Sequence, residues 1–280
     1  MSQLKHIASL WSLTQHPTPA NEWTLEQKVA DAKQAGFDGV AAGATPELPP
    51  ILQSYNMLVL GYISSGKAAE FPAAIQANKA MGADHINVQL ADENTLTPEA
   101  LGLTLLMLQE GKRQGVAPAI EVHRDTCTET PEKTYALADA YQKVTGELLP
   151  LTWDFSHLAV VKHVAPKDYI RRLLIRPDLI QRAQQFHFRP FNGHHCQVPV
   201  TDGQGNLTPE VQDWLPFAEA VLKCWLAGNK NTDREIFVCP EMGPVPGGYN
   251  ISTLPNSWED AKVLRVEIDK IWQKLTKKGK

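Results

Sequence analysis

Short apolar runs alternate with longer amphipathic segments along the 280-residue sequence, and this alternation constrains the fold more than any other feature. The short runs are apolar at odd and even positions alike, which is typical of strands covered on both faces, as in parallel sheets. Eight such strands are predicted, at residues 7–11, 37–43, 57–63, 85–90, 117–123, 150–157, 183–191 and 234–242.

The segments between these runs carry residues that start and stop helices. Thr24 has Gln27 three residues later, which predicts a capping box, and Gly36 predicts the end of the same helix. Further helices are predicted to begin at Thr97-Pro98, Thr130-Pro131, Thr208-Pro209 and Ser257. Proline supports the first three of these starts, because the first helical turn tolerates it.

Eight strands that alternate with about eight helices predict a single (β/α)₈ TIM barrel over residues 1–280. The alternative is a doubly wound open sheet, which rarely needs eight such even units. Residues 192–208 form the longest connection without periodicity, and long loops in compact domains are usually functional. Within this loop, Gly203-Gln204-Gly205-Asn206 predicts a turn or hairpin tip, and residues 277–280 are expected to form a solvated tail.

The charge balance and the cysteine count exclude several classes of protein. A net charge of −4 argues against a nucleic-acid partner, because binding by counterion release needs a clustered basic surface. No apolar run approaches the roughly 18 residues of a membrane helix, and no signal-peptide core follows the start. We therefore expect a cytoplasmic protein without a membrane partner. Four dispersed cysteines are expected to be free thiols, namely Cys127, Cys196, Cys224 and Cys239.

Acidic residues and a histidine collect at the carboxyl ends of strands five to eight, where a barrel keeps its active site. Glu121, Asp154, His187 and Glu241 each lie within or at the edge of an apolar run. Burying three carboxylates together is unfavourable without a cation. One divalent ion, Mn²⁺, Co²⁺, Mg²⁺ or Zn²⁺, suits a set of two glutamates, one aspartate and one histidine.

Over nearly its whole length the chain resembles the xylose isomerase-like TIM-barrel superfamily, and in particular its sugar phosphate isomerase/epimerase branch. That branch includes ketose 3-epimerases, hydroxypyruvate isomerases and inosose dehydratases. The matching motifs are Glu121, Asp154-Phe155-Ser156-His157 as Asp-x-x-His, His187, and Glu241-Met242-Gly243-Pro244 as Glu-x-Gly-Pro. The resemblance implies that one divalent metal ion is bound by Glu121, Asp154, His187 and Glu241.

The resemblance also implies an isomerase or epimerase of a small sugar or related polyhydroxy carbonyl compound. Metal-assisted proton transfer would proceed through an enediolate, which the ion stabilises. Glu121 and Glu241 would then be catalytic, one removing the proton and the other returning it. His157 matches a family residue that lies beside the metal and contacts substrate. The expected partner is a sugar or polyol, and association into a homo-oligomer is left open.

Five further residues are candidates for contact with the substrate or for the wall around it. Strand parity points Arg189 toward the pocket, and its fork of donors could orient an anionic group. Arg124 is the weaker candidate, because it could equally pair with a neighbouring acid at the surface. His123 shares a strand face with Glu121, and Trp11 at the end of strand one could stack on a sugar. His194, in the loop after strand seven, is expected to be an outer-layer or lid residue.

Three alternatives accompany this interpretation. An inosose-type dehydratase would use the same metal site and differ by an acid beside the leaving hydroxyl, for which His157, His123 or His194 could serve. An apurinic endonuclease would need a cluster of metal ions and further histidines from strands two to four to bind them. This sequence lacks those histidines. His194 and His195 alone do not supply that cluster. A non-catalytic sugar-binding protein predicts a broken metal quartet, whereas all four ligands are present.

Overall fold

A computed structural model describes residues 2–230 and 232–277, in which eight parallel strands form a closed barrel. Each strand pairs with the next, and the last returns to pair with the first. The predicted (β/α)₈ barrel is confirmed; the predicted domain 1–280 and tail 277–280 include residues outside the described ranges. The strands are β1 Gln3–Ser9, β2 Gly39–Gly43, β3 Leu58–Ser65, β4 His85–Leu90, β5 Ala117–Val122, β6 Leu151–Trp153, β7 Gln185–His187 and β8 Glu235–Cys239.

Helices surround the barrel, and the predicted capping residues begin several of them. Thr24 forms the predicted capping box with Gln27, while the side chains of Thr130 and Thr208 accept backbone N–H groups of the helices they precede. The α-helices of the described residues are α1 Leu25–Gln34, α2 Leu48–Tyr55, α3 Phe71–Ala80, α4 Thr97–Gln114, α5 Pro131–Thr145, α6 Phe155–Val161, α7 Tyr169–Leu173, α8 Pro177–Arg182, α9 Pro209–Asn229 and α10 Ser257–Lys277.

Most strand boundaries differ from the prediction, and the differences at β1, β6 and β7 change the element that carries a candidate site residue. The first strand runs from Gln3 to Ser9, because its early residues pair with β8, and Trp11 lies in a 3₁₀ helix, Leu10–Leu13. The predicted strand 150–157 stops at Trp153, so His157 lies on α6. The predicted strand 183–191 is reduced to three residues, so Arg189 lies beyond its end. Apolar runs this short do not distinguish strand from helix by periodicity.

Two apolar layers support the carboxyl end of the barrel. The inner layer is small and fills the barrel below the site with Ile7, Leu60, Phe237 and Cys239. The outer layer lies between the strands and the helices, and it contains most of the buried apolar side chains. A packed interior of this kind is a floor rather than a channel, so polar side chains above it face the loops.

The long connection between β7 and α9 folds as the turn prediction implied. Thr201 and Leu207 form an antiparallel bridge, and Asp202 accepts the backbone N–H groups of Gln204 and Asn206. The buried carboxylate of Asp260 on α10 accepts N–H groups of Val200 and Thr201. This connection is therefore anchored to the last helix as it passes the mouth of the barrel.

The cysteine prediction is confirmed, because all four cysteines are free. Two of them, Cys127 and Cys239, are buried and pack as small apolar side chains. Over residues 2–230 and 232–277, no helix combines the length and the apolar character needed to cross a membrane.

Candidate active site

The four predicted metal ligands meet at the carboxyl end of the barrel. Glu121 lies on β5 and His187 ends β7, while Asp154 directly follows β6 and Glu241 lies two residues after β8. One ligand atom from each residue lies within 4.8 Å of all the others. Nδ1 of His187 is 2.8 Å from Oε1 of Glu121 and 3.2 Å from Oε2 of Glu241. Four strands far apart in sequence thus deliver one compact group of donors.

The group is largely removed from solvent, and its charges are strongly coupled. Glu121 and Asp154 are fully buried, and only the Glu241 side chain is 17% exposed. Burial opposes ionisation of Glu121, yet the adjacent His187 holds the pKa of that carboxyl at about 2. Burial also disfavours charge on His187, but Glu241 and Glu121 raise its pKa well above the ordinary value. The ionised carboxylates are therefore stabilised by a positive charge between them, which a proton on His187 or a metal ion supplies.

These residues fit a divalent metal ion. Oε1 of Glu121 and Nδ1 of His187 are buried and make no well-formed hydrogen bond to any described residue. Bonds of about 2.0–2.2 Å place ligand atoms on opposite sides of an ion about 4.2 Å apart, so a small contraction closes the group. Within the described ranges, this is the one cluster of histidine, cysteine and acidic side chains with metal-binding spacing.

Neighbouring polar groups orient the ligands, as in established metal sites. Asn87 on β4 donates its side-chain N–H to Oε2 of Glu121 at 2.7 Å. The Gln185 side-chain amide meets Nε2 of His187 at 2.5 Å. The sequence assigned neither residue a role, and Asn87 carries no distinct signal, because His85 and Gln89 are polar side chains of the same strand β4. The contacts leave Oε1 of Glu121 and Nδ1 of His187 directed toward the other ligands.

Arg189 contacts a ligand rather than an open pocket. Its Nη2 atom donates to Oδ2 of Asp154, its Nε donates to Oγ of Ser156 at 3.3 Å, and it is 99% buried. Burial disfavours the charge of Asp154, but Arg189 keeps the pKa of that carboxyl well below its ordinary value. Oδ1 of Asp154 accepts the backbone N–H of Ser156 at 2.9 Å. The predicted contact between Arg189 and substrate stays a prediction, and its observed role is to hold Asp154.

Two histidines lie beside this pair. His157 is buried on α6, with Nε2 3.2 Å from Nη2 of Arg189 and 3.4 Å from Oδ2 of Asp154. Burial lowers the pKa of His157, so its imidazole is neutral at physiological pH. His123 packs against it at 4.2 Å between ring centroids. Nδ1 of His123 donates to the Arg124 carbonyl at 2.5 Å, because a carbonyl can only accept.

An aromatic roof adjoins the ligands, formed by Trp11 and Tyr249. Their rings meet edge to face, with centroids 5.1 Å apart. Gly243, in the Glu-x-Gly-Pro motif, is required here, because a Cβ atom would lie 2.5 Å from Cβ of Tyr249 and 2.6 Å from Cη2 of Trp11. Tyr249 had no sequence signal, since it lies in the irregular segment after β8. Trp11 therefore contributes to the roof from a 3₁₀ helix and not from the end of a strand.

The remaining candidates lie farther out. Arg124 is half exposed, 3.6 Å from the carboxylate of Asp125, and its guanidinium faces the Tyr249 ring. His194 is exposed and packs near His163, with ring centroids 5.6 Å apart. The contacts described for His194 join it to that histidine and to Asn192, so its proposed place as an outer-layer or lid residue stays a prediction.

The closed barrel defines a class by its fold: the chain has the fold of the xylose isomerase-like TIM barrels, as the sequence resemblance predicted. Among solved structures it is similar to L-ribulose 3-epimerase, with 14% identity, a TM-score of 0.66, and coverage of 99% of this chain and 97% of that chain. It is also similar to the probable 3-DHS dehydratase AsbF from Bacillus anthracis, with 14% identity, a TM-score of 0.60, and coverage of 93% and 98%. The IolI protein, solved with a zinc atom, matches at 13% identity and a TM-score of 0.56, with coverage of 97% and 99%.

At these identities the likeness establishes the fold, and the site residues carry any argument about function. No family model matches the sequence, and no curated protein matches it.

Proposed function

We propose that this protein is a divalent-metal-dependent isomerase or epimerase of a small sugar or related polyhydroxy carbonyl compound. The observation that carries the proposal is the convergence of Glu121, Asp154, His187 and Glu241 on one point. The similar structures include an epimerase of a ketose and a protein with bound zinc, which supports the same class of chemistry. Glu121, Asp154, His187 and Glu241 would hold the ion.

When bound, a divalent cation polarises the carbonyl and hydroxyl oxygens of a substrate, so a proton on the adjacent carbon is lost more easily. The chain supplies two carboxylates for moving that proton. Glu241 is the partly exposed one, so it is suited to meet the substrate carbon first. Glu121, the second carboxylate of the cluster, would accept or return the proton from the opposite side of the substrate.

His157 and Arg189 have supporting roles in this mechanism. Arg189 fixes Asp154 and approaches Oε2 of Glu241 to 3.7 Å, so it orients two of the four carboxylate and imidazole groups. His157 is neutral and would exchange hydrogen bonds with substrate hydroxyl groups beside the ion. The Trp11 and Tyr249 roof would exclude bulk water from the reacting carbon, which prevents loss of the abstracted proton.

Elemental analysis of the purified protein, beside Glu241→Ala, tests the metal centre. We expect about one divalent ion per chain, lost in the variant and retained in Glu26→Ala, an exposed control on α1. Thermal shift with added Mn²⁺, Co²⁺, Mg²⁺ and Zn²⁺ extends the test to weakly held ions. A protein that neither contains nor is stabilised by any of these ions would refute the proposed mechanism.

A metal-dependent dehydratase is the second candidate. The adjacent imidazoles of His123 and His157, whose rings are tilted by 58° to each other, favour it, since they provide proton carriers beside the candidate metal ligands. The two reactions differ in their products in deuterated water. An isomerase or epimerase incorporates deuterium into an unchanged carbon skeleton, whereas a dehydratase releases water and yields an unsaturated product. Proton NMR of ketoses and inososes incubated with the metal-loaded protein distinguishes them.

A further inference from the structure

Two guanidinium groups face one aromatic ring at the edge of the ligand quartet. The guanidinium carbon of Arg189 is 4.3 Å from the Tyr249 ring centroid, and that of Arg124 is 4.5 Å from the same centroid. An electron-rich ring attracts a cation, so the Tyr249 ring interacts favourably with both guanidinium groups. Tyr249 therefore brings Arg124, which lies at the surface, to the edge of the same group of side chains as the buried Arg189.

The charges of the candidate metal site balance without a contribution from Arg124. With a divalent ion bound, the carboxylates of Glu121, Asp154 and Glu241 are balanced by the ion and by Arg189. The ligand imidazole of His187 is neutral in that state, since metal binding requires its lone pair. Arg124 is therefore not needed to balance these carboxylates, and the acid that pairs with it is the exposed Asp125.

Arg124 is also available to bind a ligand, whereas Arg189 already donates to Asp154 and Ser156. The partner of Arg124 is Asp125, 3.6 Å away and 78% exposed. Exposed ion pairs of this kind contribute little to stability, so a ligand anion competes with Asp125 easily. Arg189 keeps one further donor, Nη1, which is buried and has no acceptor among the described residues. A ligand oxygen beside Tyr249 would supply the acceptor that this donor lacks.

We propose that the substrate is a polyhydroxy acid, whose carboxylate is bound by Arg124 at the Tyr249 edge while its hydroxyl and carbonyl oxygens face the metal ligands. This inference rests on the proposed function, because it assumes an ion between the four ligands. A carboxylate fits better than a phosphate ester, since it carries the single negative charge that balances one guanidinium. Its planar pair of oxygens also matches the arginine fork.

Calorimetric titrations of the Mn²⁺-loaded protein test the inference with sugars that share a skeleton and differ in charge. The probes are D-glucuronate, D-glucose and D-glucose 6-phosphate, together with the pair D-galacturonate and D-galactose. We expect at least one uronate to bind about tenfold or more tightly than its neutral sugar, as a charge-assisted contact should provide. Arg124→Gln should remove this preference, and Arg172→Gln, an exposed arginine on α7, should retain it.

Separate outcomes address the inference and the proposed function. If neither uronate binds more tightly than its neutral sugar, or if glucose 6-phosphate binds more tightly than glucuronate, the inference is overturned. It is overturned as well if Arg124→Gln keeps the preference for the uronate. Titration with Mn²⁺ alone is the independent arm, because a protein that binds no Mn²⁺ contradicts the proposed function instead.

Discussion

At the scale of single residues, Asp154 shows how one side chain serves both the fold and the site. One of its oxygens accepts the Ser156 N–H and begins α6, and the other accepts from Arg189. Each oxygen has two lone pairs, so these bonds leave room for an ion. The sequence predicted Asp154 as a ligand but not its buried partner.

Removing Arg189 should strongly destabilise the metal-free protein. Arg189→Leu leaves a buried, ionised Asp154 without its cation, and breaking a buried pair in this way costs about 3–5 kcal/mol. The double variant with Asp154→Asn should lose less than the two single variants together, because no charge is then left unpaired. Urea unfolding in the presence of a chelator measures the free energy of each variant.

An exposed pair of similar geometry provides the control for that cycle. Arg176 donates to Asp178 at 2.8 Å, but both side chains are partly exposed. Asp178→Asn should therefore change the free energy of unfolding by less than about 1 kcal/mol. Equal effects at the buried and the exposed pair would contradict the interpretation that Arg189 neutralises Asp154.

At the scale of elements, the sequence predicted helix starts better than strand ends. A capping threonine acts locally, so Thr24, Thr130 and Thr208 could be identified from a few residues. The ends of β6 and β7 depend on where pairing with neighbouring strands stops, and that is a property of the closed barrel. Local apolar patterns extend past those ends, because the same residues also pack when they become helix or loop.

The same distinction separates the site residues that were predicted from those that were missed. The four candidate metal ligands lie at or just beyond the carboxyl ends of apolar runs, so their chain positions alone predict a place at the barrel mouth. Tyr249 reaches the site from an irregular segment, and Asn87 comes from a strand that showed no acidic residue. Both are recognisable only after the barrel has brought their segments beside Glu121 and Arg189.

Close packing of α4 on β5 supplies a prediction at this scale. A Cβ atom on Gly111 would lie 2.3 Å from Cδ of Pro118, at the start of the strand that carries Glu121. Gly111→Ala should therefore destabilise the protein by about 1–3 kcal/mol, as overpacked core sites do. Thermal and urea unfolding measure the change.

Gly102 on the same helix is the matched control, because a Cβ atom there has nothing within 4 Å and the residue is exposed. Gly102→Ala should stabilise by roughly 0.5–1 kcal/mol, since alanine favours the helix over glycine. Should both variants shift the unfolding midpoint in the same direction, helix propensity rather than packing against β5 would be the controlling factor.

At the scale of the whole molecule, closure of the barrel concentrates negative charge at one point. The three carboxylates belong to β5, β6 and β8, so the repulsion between them arises only when β5 to β8 have paired. Without a metal, protonated His187 offsets part of that repulsion, and its raised pKa records the stabilisation. Folding, protonation and metal binding are therefore linked through one imidazole.

This linkage predicts opposite pH trends for two quantities, the stability of the metal-free protein and its affinity for a metal ion. A group with a raised folded pKa stabilises fully below its unfolded pKa of about 6.5 and loses that contribution as pH rises through the folded value. The metal-free protein should thus become less stable above about pH 6.5. Glu121 sets the acidic limit of this stability. Because the folded pKa of Glu121 is lowered to about 2, its ionised carboxylate stabilises the fold above about pH 4.5, and this contribution is lost as the pH falls toward 2.

Metal binding should become tighter over the same rise in pH, since an ion at Nδ1 must displace the His187 proton. The apparent Kd for Mn²⁺ should fall by up to about tenfold per pH unit below the folded pKa of His187 and level off above it. Calorimetric titration between pH 6 and pH 8 measures this slope. His187→Gln, which cannot carry the proton, should bind Mn²⁺ more weakly and with a flatter dependence on pH. A wild-type affinity that is constant over this range would mean that His187 is already neutral before the ion arrives, and the cation that balances Glu121 and Glu241 would have to be sought elsewhere in the site.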